Sequence, residues 1–310
     1  MKKIFIDGSV CTTGLRIYER LSARDDIQLI LLPEEYRKDR EARKDALQKA
    51  DIAFLCLPDN AAVEAIELLE DADTAIIDTS TAHRTAEGWI YGFAELKGQK
   101  GKIMQSKRIA NPGCHASGFI ALVAPLLQEN ILKKESLLSC FSLTGYSGGG
   151  KTMIAEYEAV DRSPLLNAPR QYGLSQQHKH LKEMIAVCGL ENNPAFCPIV
   201  ADFYSGMEVT VPLFAPQVKA NLQEIQEIYQ EYYHSPLVYF SKNPGEGGFL
   251  SAAALAGRDD MEISVSGNDD RILLTARFDN LGKGASGAAI QNMNILMGVE
   301  ETKGLIFGKD

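Results

Sequence analysis

Cys114 is the residue of this sequence whose position best suits nucleophilic chemistry. It directly follows the turn residues Asn111-Pro112-Gly113 and precedes the apolar run 119–127, which predicts a helix. A thiol there faces the first backbone N–H groups of the helix and the positive end of its dipole, and both favour a thiolate. A buried, inert cysteine is the alternative, because cysteines are among the most buried residue types.

Ser147 is a second candidate nucleophile. It lies in Gly145-Tyr146-Ser147-Gly148-Gly149, which matches the G-x-S-x-G pattern of serine hydrolases between a predicted strand and a predicted helix. The hydrolase fold needs an acidic residue and then a histidine after the serine. A glycine-rich loop that holds a cofactor or a phosphate explains the same residues, so both interpretations stay open.

His178 and His180 open a predicted helix that begins near Ser175. Two histidines two positions apart do not share a helix face, so a metal pair is not predicted. Glu183 follows within the next turn. Either histidine could therefore be a general acid–base oriented by that carboxylate, and the alternative is a polar surface helix.

The first hundred residues alternate strands with helices. The predicted strands are 3–7, 27–32, 52–57 and 74–78, and the predicted helices are 15–21, 39–49 and 61–69. Buried apolar strands separated by helices predict an α/β fold with a parallel, doubly wound sheet of the Rossmann type.

The turn after the first strand, Gly8–Gly14, is rich in small residues, as close approach to a pyrophosphate requires. Cys11 occupies its middle position. After the second strand, Arg37 and Lys38 suit a 2′-phosphate, which favours NADP over NAD, although a solvated loop would explain them too. Leu57-Pro58 ends the third strand, where the ligand crevice of such a sheet lies.

The second half of the chain predicts a different architecture. Strands are predicted at 136–143, 208–214, 261–265 and 272–278, with helices at 152–158, 222–233 and 290–297. This pattern predicts an α+β domain with a mixed or antiparallel sheet. The glycine-rich segment 279–289 enters the last helix and suggests close approach to an anion or to another backbone.

Composition limits the class of protein. The 310 residues suit about two domains, and a hydrophobic content of 45% is that of a globular chain. A net charge of −9 argues against general binding of nucleic acid or anionic membranes. The six cysteines form no CxxC pair and show no metal-ligand spacing, which predicts thiols in a reducing cytosol and no metal. We therefore expect a soluble, cytoplasmic protein.

Several motifs taken together resemble the shorter class of the N-acetyl-γ-glutamyl-phosphate reductase family, in the semialdehyde dehydrogenase superfamily. They are Asn111-Pro112-Gly113-Cys114, the Tyr172-Gly173-Leu174 to Glu183 stretch, the 144–151 loop and the 279–289 segment. The match spans nearly the whole chain.

The resemblance implies NADPH-dependent reduction of N-acetyl-glutamyl 5-phosphate in arginine biosynthesis. Cys114 would expel phosphate and form a thioester, NADPH would supply hydride, and the product would be N-acetyl-glutamate 5-semialdehyde. His178 or His180 would act as the acid–base, with His178 favoured and Glu183 as its partner. The resemblance also implies a homodimer or homotetramer that takes a small-molecule acyl phosphate.

The resemblance also implies a set of binding residues and a division of the chain. Substrate-binding positions are Arg84, Asn111, Tyr146, Ser147 and Lys151. Cofactor-binding positions are Gly8, Ser9, Val10, Cys11, Thr12, Thr13, Gly14, Arg37, Lys38, Leu57, Pro58, Ser80, Gly148, Asn280, Lys283 and Gly284. The cofactor domain would comprise residues 1–113 and 283–310, and a catalytic and dimerisation domain would comprise 114–282.

Cys11 departs from the family pattern, because a glycine usually stands in the middle of the phosphate turn. Its side chain is expected to crowd a pyrophosphate, which puts cofactor affinity in question. Two alternatives to the reductase remain. One is a hydrolase that uses Ser147, and the other is a nucleotide-sensing Rossmann protein that does not use the Cys114 thiol.

Overall fold

The computed structural model describes residues 1–308, which fold into two compact units. Unit 1 comprises residues 1–112 and 285–305, and unit 2 comprises 113–284 together with the described residues from 306 onward. The predicted cofactor domain ran through the C-terminus, whereas Ile306 belongs to unit 2. The reason is local, because Asp259 exchanges two hydrogen bonds with the backbone of Ile306.

Unit 1 is built on a six-stranded parallel sheet of order β2-β1-β3-β4-β6-β5. Its strands are β1 (Lys2–Asp7), β2 (Ile27–Ile30), β3 (Ile52–Leu55), β4 (Ala75–Asp78), β5 (Ile90–Tyr91) and β6 (Arg108–Ala110). Its helices are α1 (Thr12–Ser22), α2 (Arg40–Lys49), α3 (Asp59–Leu69), α4 (Gln99–Gln105) and, from the chain's end, α9 (Gly287–Met297).

Both faces of this sheet are covered, as the continuous apolar strands require. Phe5, Ala53 and Leu55 pack against α2 and α3 on one face. Ile4, Phe54 and Ile77 pack against α1, α4 and α9 on the other. The doubly wound parallel sheet predicted from the sequence is confirmed.

Unit 2 is built on an eight-stranded mixed sheet of order β11-β12-β13-β14-β10-β7-β9-β8. Its strands are β7 (Ser139–Gly145), β8 (Arg170–Gln171), β9 (Ala195–Ala201), β10 (Met207–Phe214), β11 (His234–Ser235), β12 (Val238–Phe240), β13 (Met261–Asn268) and β14 (Arg271–Phe278). Its helices are α5 (Cys114–Gln128), α6 (Gly150–Glu158), α7 (His180–Cys188) and α8 (Leu222–Tyr232). A mixed sheet is what the second half of the sequence predicted.

One face of this sheet is packed and the other is open. β10 alternates, with Met207, Val209 and Val211 buried beneath the helices. On the packed face lies α5, which is buried almost throughout its length because nearly all its residues are apolar or small. Each large apolar side chain that it buries stabilises the fold by about 1.5–3 kcal/mol.

Two helix boundaries differ from the prediction near the candidate nucleophile. Helix α5 begins at Cys114 itself, not at 119, because the small residues 116–118 continue the helix inside the core. Helix α7 begins at His180, not near Ser175, because Gln176 has a φ of 56° and the chain turns there. Within residues 1–308, no helix combines the length and apolar character that a bilayer span requires.

Candidate active site

Cys114 is the first residue of α5 and is partly exposed, whereas the rest of the first turn is buried. Gly113 precedes it in an extended conformation, and its carbonyl accepts hydrogen bonds from the Ser117 N–H and hydroxyl. Gly284 makes room for the thiol, since a Cβ there would lie 3.0 Å from the Cβ of Cys114. The sulfur-bearing residue thus stands at the positive end of a buried helix, where thiolate is favoured.

Glu183 fixes the turn that leads into this helix. The Gly113 N–H donates to Oε2 of Glu183 at 3.1 Å, and both groups are buried. The other carboxylate oxygen, Oε1, lies 3.9 Å from Nε2 of His180. One buried carboxylate therefore connects α7 to the backbone beside Cys114 and to an imidazole.

His178 precedes α7, whereas the helix start predicted near Ser175 would have put it in the first turn. The His180 N–H donates to Nδ1 of His178 at 3.2 Å, so a neutral His178 carries its proton on Nε2. Burial, with Lys179 as a smaller contributor, lowers the pKa of His178. The two imidazole centroids lie 4.8 Å apart, closer than two residues of one helix with that spacing would allow.

His115 and Tyr172 complete this cluster and were not predicted as functional residues. The His115 ring lies 5.8 Å from that of His178 and 5.5 Å from that of His180, centroid to centroid. Its Nε2 is 2.7 Å from the Tyr172 hydroxyl. A histidine directly after a candidate nucleophile, on an otherwise apolar helix, was the signal in the sequence that could have identified it.

The glycine-rich loop after β7 forms a 3₁₀ turn, Tyr146–Gly149, and then α6. The Ser147 hydroxyl is buried and accepts a hydrogen bond from the Asn280 amide at 3.0 Å. A serine hydrolase needs an imidazole within hydrogen-bond distance of its nucleophile, and the described residues place none there. The geometry therefore disfavours the hydrolase alternative.

The other residues of this loop occupy different surroundings. Tyr146 stacks on Tyr157 with centroids 4.8 Å apart, and its hydroxyl is 3.4 Å from Glu158. Gly148 and Lys151 are exposed. The predicted substrate role of Tyr146, Ser147 and Lys151 stays a prediction.

The 279–284 segment is held tightly within unit 2. Asn280 donates to Ser147 and accepts from the Gly206 N–H at 2.9 Å, so its amide makes structural hydrogen bonds. Asp279 accepts from the N–H groups of Leu281 and Gly282. Lys283 is buried. The predicted cofactor contacts of Asn280, Lys283 and Gly284 stay predictions.

In unit 1, the turn from Gly8 to Gly14 is as compact as a phosphate cradle needs. A Cβ at Gly8 would lie 2.2 Å from the Cys56 carbonyl oxygen, and one at Gly14 would lie 2.4 Å from that of Gly8. Cys11 caps α1, because its sulfur accepts from the Gly14 N–H at 3.2 Å. The sulfur is thus turned back onto the helix. The predicted pyrophosphate contacts of Gly8, Ser9, Val10, Cys11, Thr12, Thr13 and Gly14 stay predictions.

The sheet order places this turn at the point where a nucleotide is expected. β2 and β3 lie on opposite sides of β1 in the sheet. The chain therefore leaves β1 for β2 on one side and then crosses over to β3 on the other side. The carboxyl ends at such a switch point form the ligand crevice of an open α/β sheet. The predicted residues Gly8 and Leu57-Pro58 follow these two strands.

The remaining predicted positions of unit 1 lie on neighbouring loops. Arg37 and Lys38 are exposed after β2, and no ion pair links either to another residue in 1–308. Ser80 donates to the Asp78 carboxylate at 2.8 Å, and the same carboxylate lies 2.7 Å from Nδ1 of His83. A cofactor role for Ser80 stays a prediction.

Arg84 and Asn111 are linked to each other in unit 1. The Arg84 guanidinium donates to the carbonyls of Asn111 and Thr79, at 3.0 and 3.2 Å. The Asn111 amide donates to the Ala285 carbonyl and accepts from Asn292. Both residues therefore shape the loop that leads to Cys114, and their predicted contact with substrate stays a prediction.

Comparison with known proteins agrees with both units. The semialdehyde dehydrogenase NAD binding domain matches residues 21–103, and the semialdehyde dehydrogenase dimerisation domain matches residues 114–280. The chain folds like aspartate semialdehyde dehydrogenase II from Vibrio cholerae, with a TM-score of 0.73 at 15% identity over 96% of this chain and 98% of that one. It also resembles the structure of aspartate semialdehyde dehydrogenase with NADP from Candida albicans. The TM-score is 0.69 at 14% identity, over 96% of this chain and 99% of that one.

Sequence relatives are much more similar. N-acetyl-gamma-glutamyl-phosphate reductase 2 of Nostoc sp. is 43% identical, over 98% of this chain and 99% of the relative. N-acetyl-gamma-glutamyl-phosphate reductase of Brucella ovis is 44% identical, over 96% and 99%. Identity at this level over the full length leaves one conclusion: the chain is an enzyme of the N-acetyl-gamma-glutamyl-phosphate reductase family.

Proposed function

We propose that this enzyme reduces N-acetyl-glutamyl 5-phosphate to N-acetyl-glutamate 5-semialdehyde with release of phosphate, using NADPH, in arginine biosynthesis. The names of the full-length relatives support the substrate. The observation that carries the proposal is the constellation at the start of α5, where Cys114 follows a turn held by Glu183 and the next residue, His115, packs against the rings of His178 and His180.

In the proposed reaction, the Cys114 thiolate attacks the acyl carbon and forms a thioester as the C–O bond to phosphate breaks. The helix dipole and the N–H groups of the first turn of α5 stabilise that thiolate. Glu183 keeps Gly113, and therefore Cys114, in position through its backbone hydrogen bond. NADPH, when bound, supplies the hydride that reduces the thioester.

We assign to His178 the role predicted for the histidine of the site. Its Nδ1 accepts the His180 N–H, so its Nε2–H can donate a hydrogen bond to the oxyanion that forms when the thioester is reduced. A lowered pKa keeps the imidazole neutral near pH 7, and a neutral imidazole stabilises this oxyanion as a hydrogen-bond donor. Collapse of the hemithioacetal releases the semialdehyde and regenerates the thiolate.

NADP rather than NAD is proposed from the loop after β2. Arg37 and Lys38 are exposed cations there, and a 2′-phosphate is the group that distinguishes the two cofactors. The NADP in the Candida albicans structure is consistent with this choice. The compact turn from Gly8 to Gly14 would hold the pyrophosphate.

A homodimer through the open face of the unit 2 sheet is also proposed. Phe141 on β7, Phe214 on β10 and Leu273 on β14 are 46%, 58% and 42% exposed on that face. Apolar side chains grouped on one face commonly mark an interface between proteins. The match of residues 114–280 to a dimerisation domain supports this role.

The experiment is a spectrophotometric assay in the reverse direction, with N-acetyl-glutamate 5-semialdehyde, phosphate and NADP. The wild type should form NADPH only when phosphate is present, and Cys114→Ala should be inactive. Retained activity in Cys114→Ala would exclude the covalent route. NADP binding without any turnover, together with slow alkylation of Cys114, would favour the nucleotide-sensing alternative.

A further inference from the structure

The side chain of Asp279 joins three segments of unit 2. Asp279 directly follows β14 and is fully buried. Its Oδ1 accepts hydrogen bonds from the N–H groups of Leu281 and Gly282, at 2.6 and 3.1 Å. Its Oδ2 accepts from the Ser205 hydroxyl at 3.0 Å and from the Gly257 N–H. The carboxylate therefore has two separate tasks, because Oδ1 shapes the turn that follows it and Oδ2 links that turn to two distant loops.

The turn shaped by Oδ1 runs from Asp279 to Gly284. A carboxylate that accepts the backbone N–H two residues ahead forms an Asx turn. The Asp279 carbonyl also accepts the Gly284 N–H at 3.0 Å, so the main chain closes the same turn. Gly282 lies at its most crowded point, since a Cβ there would overlap the Arg258 carbonyl oxygen. The backbone from 279 to 284 is thus held by both the side chain and the main chain of Asp279.

Gly284, at the end of this turn, packs against the candidate nucleophile. A Cβ at Gly284 would lie 3.0 Å from the Cβ of Cys114, 3.1 Å from the Asp279 carbonyl oxygen and 3.3 Å from Cε2 of Phe278. Carbon atoms in favourable contact lie about 3.5–4.0 Å apart, so the bare glycine backbone already fills this side of Cys114. Side chains occupy staggered rotamers, and this wall closes any rotamer in which the sulfur would point at Gly284.

We propose that Asp279 is a positioning residue for the reaction of Cys114. The carboxylate holds the turn, the turn places Gly284, and Gly284 limits where the Cys114 sulfur points. Positioning of this kind matters because a misplacement of about 1 Å can cost roughly a hundredfold in rate. The inference deepens the proposed function, on which it rests, by naming a residue outside the cysteine, histidine and glutamate cluster on which the reaction depends.

Two substitutions at Asp279 separate its two tasks. Alanine removes both acceptors, whereas asparagine keeps one oxygen that can accept from Leu281 and Gly282. In the reverse assay with N-acetyl-glutamate 5-semialdehyde, phosphate and NADP, kcat should fall roughly tenfold in Asp279→Ala and less than about threefold in Asp279→Asn. The KM for NADP should stay unchanged in both variants.

Gly284→Ala tests the contact with Cys114 itself. This variant keeps Asp279 and the hydrogen bonds of the turn, but it adds a methyl group where the Cβ of Cys114 leaves no room. Its kcat should also fall roughly tenfold. Because both changes act on Cys114 by one route, the Asp279→Ala and Gly284→Ala double variant should lose much less than the hundredfold expected of independent sites.

Ser205→Ala is the matched control. It removes the hydroxyl bonded to Oδ2 of Asp279 and leaves the Oδ1 side of the turn intact, so it should keep the wild-type kcat. A general loss of stability in this cluster would instead lower kcat in Ser205→Ala as well. Thermal unfolding of each variant measures that loss separately.

The alkylation rate of Cys114 by iodoacetamide gives a readout that needs no turnover, with the Cys114 peptide quantified by mass spectrometry. The rate near neutral pH should fall about two- to fivefold in Asp279→Ala and in Gly284→Ala, because a displaced thiolate loses part of its contact with the helix dipole. Ser205→Ala and Asp279→Asn should match the wild type. This pattern in an enzyme without reductase activity would refute the proposed function and leave the positioning role of Asp279 standing.

Equal kcat and alkylation rates for Asp279→Ala and Asp279→Asn would overturn the proposal, because the acceptor that shapes the turn would then not matter. A raised KM for NADP with an unchanged kcat would also overturn it, since the turn would then act on the cofactor. If Asp279→Ala does not fold, wild-type kcat and alkylation in Gly284→Ala would be sufficient to reject the proposal.

Discussion

At the scale of single residues, the chemistry depends on protonation states that burial sets. Cys114 is placed at a helix start, and the imidazoles of His115 and His178 both have lowered pKa values because they are buried. A carboxylate, Glu183, lies between the imidazole of His180 and the backbone N–H of Gly113. The imidazoles of His115 and His178 are therefore both neutral near pH 7.

The lowered pKa of His115 predicts how stability depends on pH. In the unfolded chain its pKa is 6.5, and in the fold it is about 3, so the unfolded state binds more protons between these values. The contribution of the neutral His115 to the free energy of unfolding is fully present above pH 6.5 and is lost as the pH falls toward 3. Between pH 6.5 and about pH 5, this one group should remove roughly 2 kcal/mol of unfolding free energy.

His115→Gln does not titrate, so its unfolding free energy should fall less steeply over that range. Urea denaturation of both proteins at the two pH values measures the difference. Parallel slopes for wild type and His115→Gln would show that His115 is not held neutral by the fold.

Part of the site was predictable at this scale, and part was not. Cys114, His178, His180 and Glu183 are close in sequence to recognisable turns, and the structure brings them together in unit 2. Ser142 and Tyr172 are separated from His115 by 27 and 57 positions, and only strand and helix packing joins them. No local pattern contains that information.

At the scale of elements, the turn between β1 and α1 depends on glycines that admit no side chain. Gly14→Ala would drive a Cβ to 2.4 Å from the Gly8 carbonyl oxygen. We expect a loss of about 1–3 kcal/mol in unfolding free energy, as for other overpacked sites, with weaker cofactor binding. Thermal unfolding and NADP titration test both effects.

Gly101→Ala is the matched control. Gly101 is exposed in α4, and a Cβ there meets nothing within 4 Å. Alanine loses less conformational freedom than glycine in a helix, so this variant should gain about 0.5–1 kcal/mol. Equal effects from the two substitutions would contradict the role given to the Gly14 contact.

The loop after β2 should decide between the two nicotinamide cofactors. Replacing both Arg37 and Lys38 by Glu removes the cations assigned to the 2′-phosphate. The KM for NADPH should rise roughly 10–100-fold, about 1.4–2.7 kcal/mol, while that for NADH changes little. A parallel rise for both cofactors would mean that these residues do not read the 2′-phosphate.

Most elements were predictable because their apolar periodicity is local, but two boundaries at the site were not. Helix α5 starts at Cys114 since small residues continue it inside the core, although their types are equally compatible with a loop. Helix α7 starts at His180 because the backbone turns at Gln176 and the His178 imidazole accepts the His180 N–H. The spacing of apolar residues in the sequence shows neither feature.

At the scale of the whole molecule, the open face of the unit 2 sheet accounts for the expected assembly. Phe141→Glu combined with Leu273→Glu places two charges on that face and should convert the proposed dimer to a monomer. Light scattering after size exclusion measures the mass. Met104→Glu, at an exposed position of α4 in unit 1, is the control and should remain dimeric.

If the protein stays dimeric after the double substitution, the interface does not lie on this face.

The architecture of each unit was predictable from the order of strands and helices along the chain. The pairing order of the eight-stranded sheet was not, because strands distant in sequence pair only through long-range contacts such as β7 with β9 and β10.

The central claim is that Cys114 carries the acyl group during the reaction. Intact-mass spectrometry of the enzyme mixed with N-acetyl-glutamyl 5-phosphate, with no NADPH present, tests it most directly. The account predicts a mass increase of one N-acetyl-glutamyl group on the Cys114 peptide, lost on adding NADPH and absent in Cys114→Ala. An unmodified Cys114 in an enzyme that turns over the same substrate would contradict it.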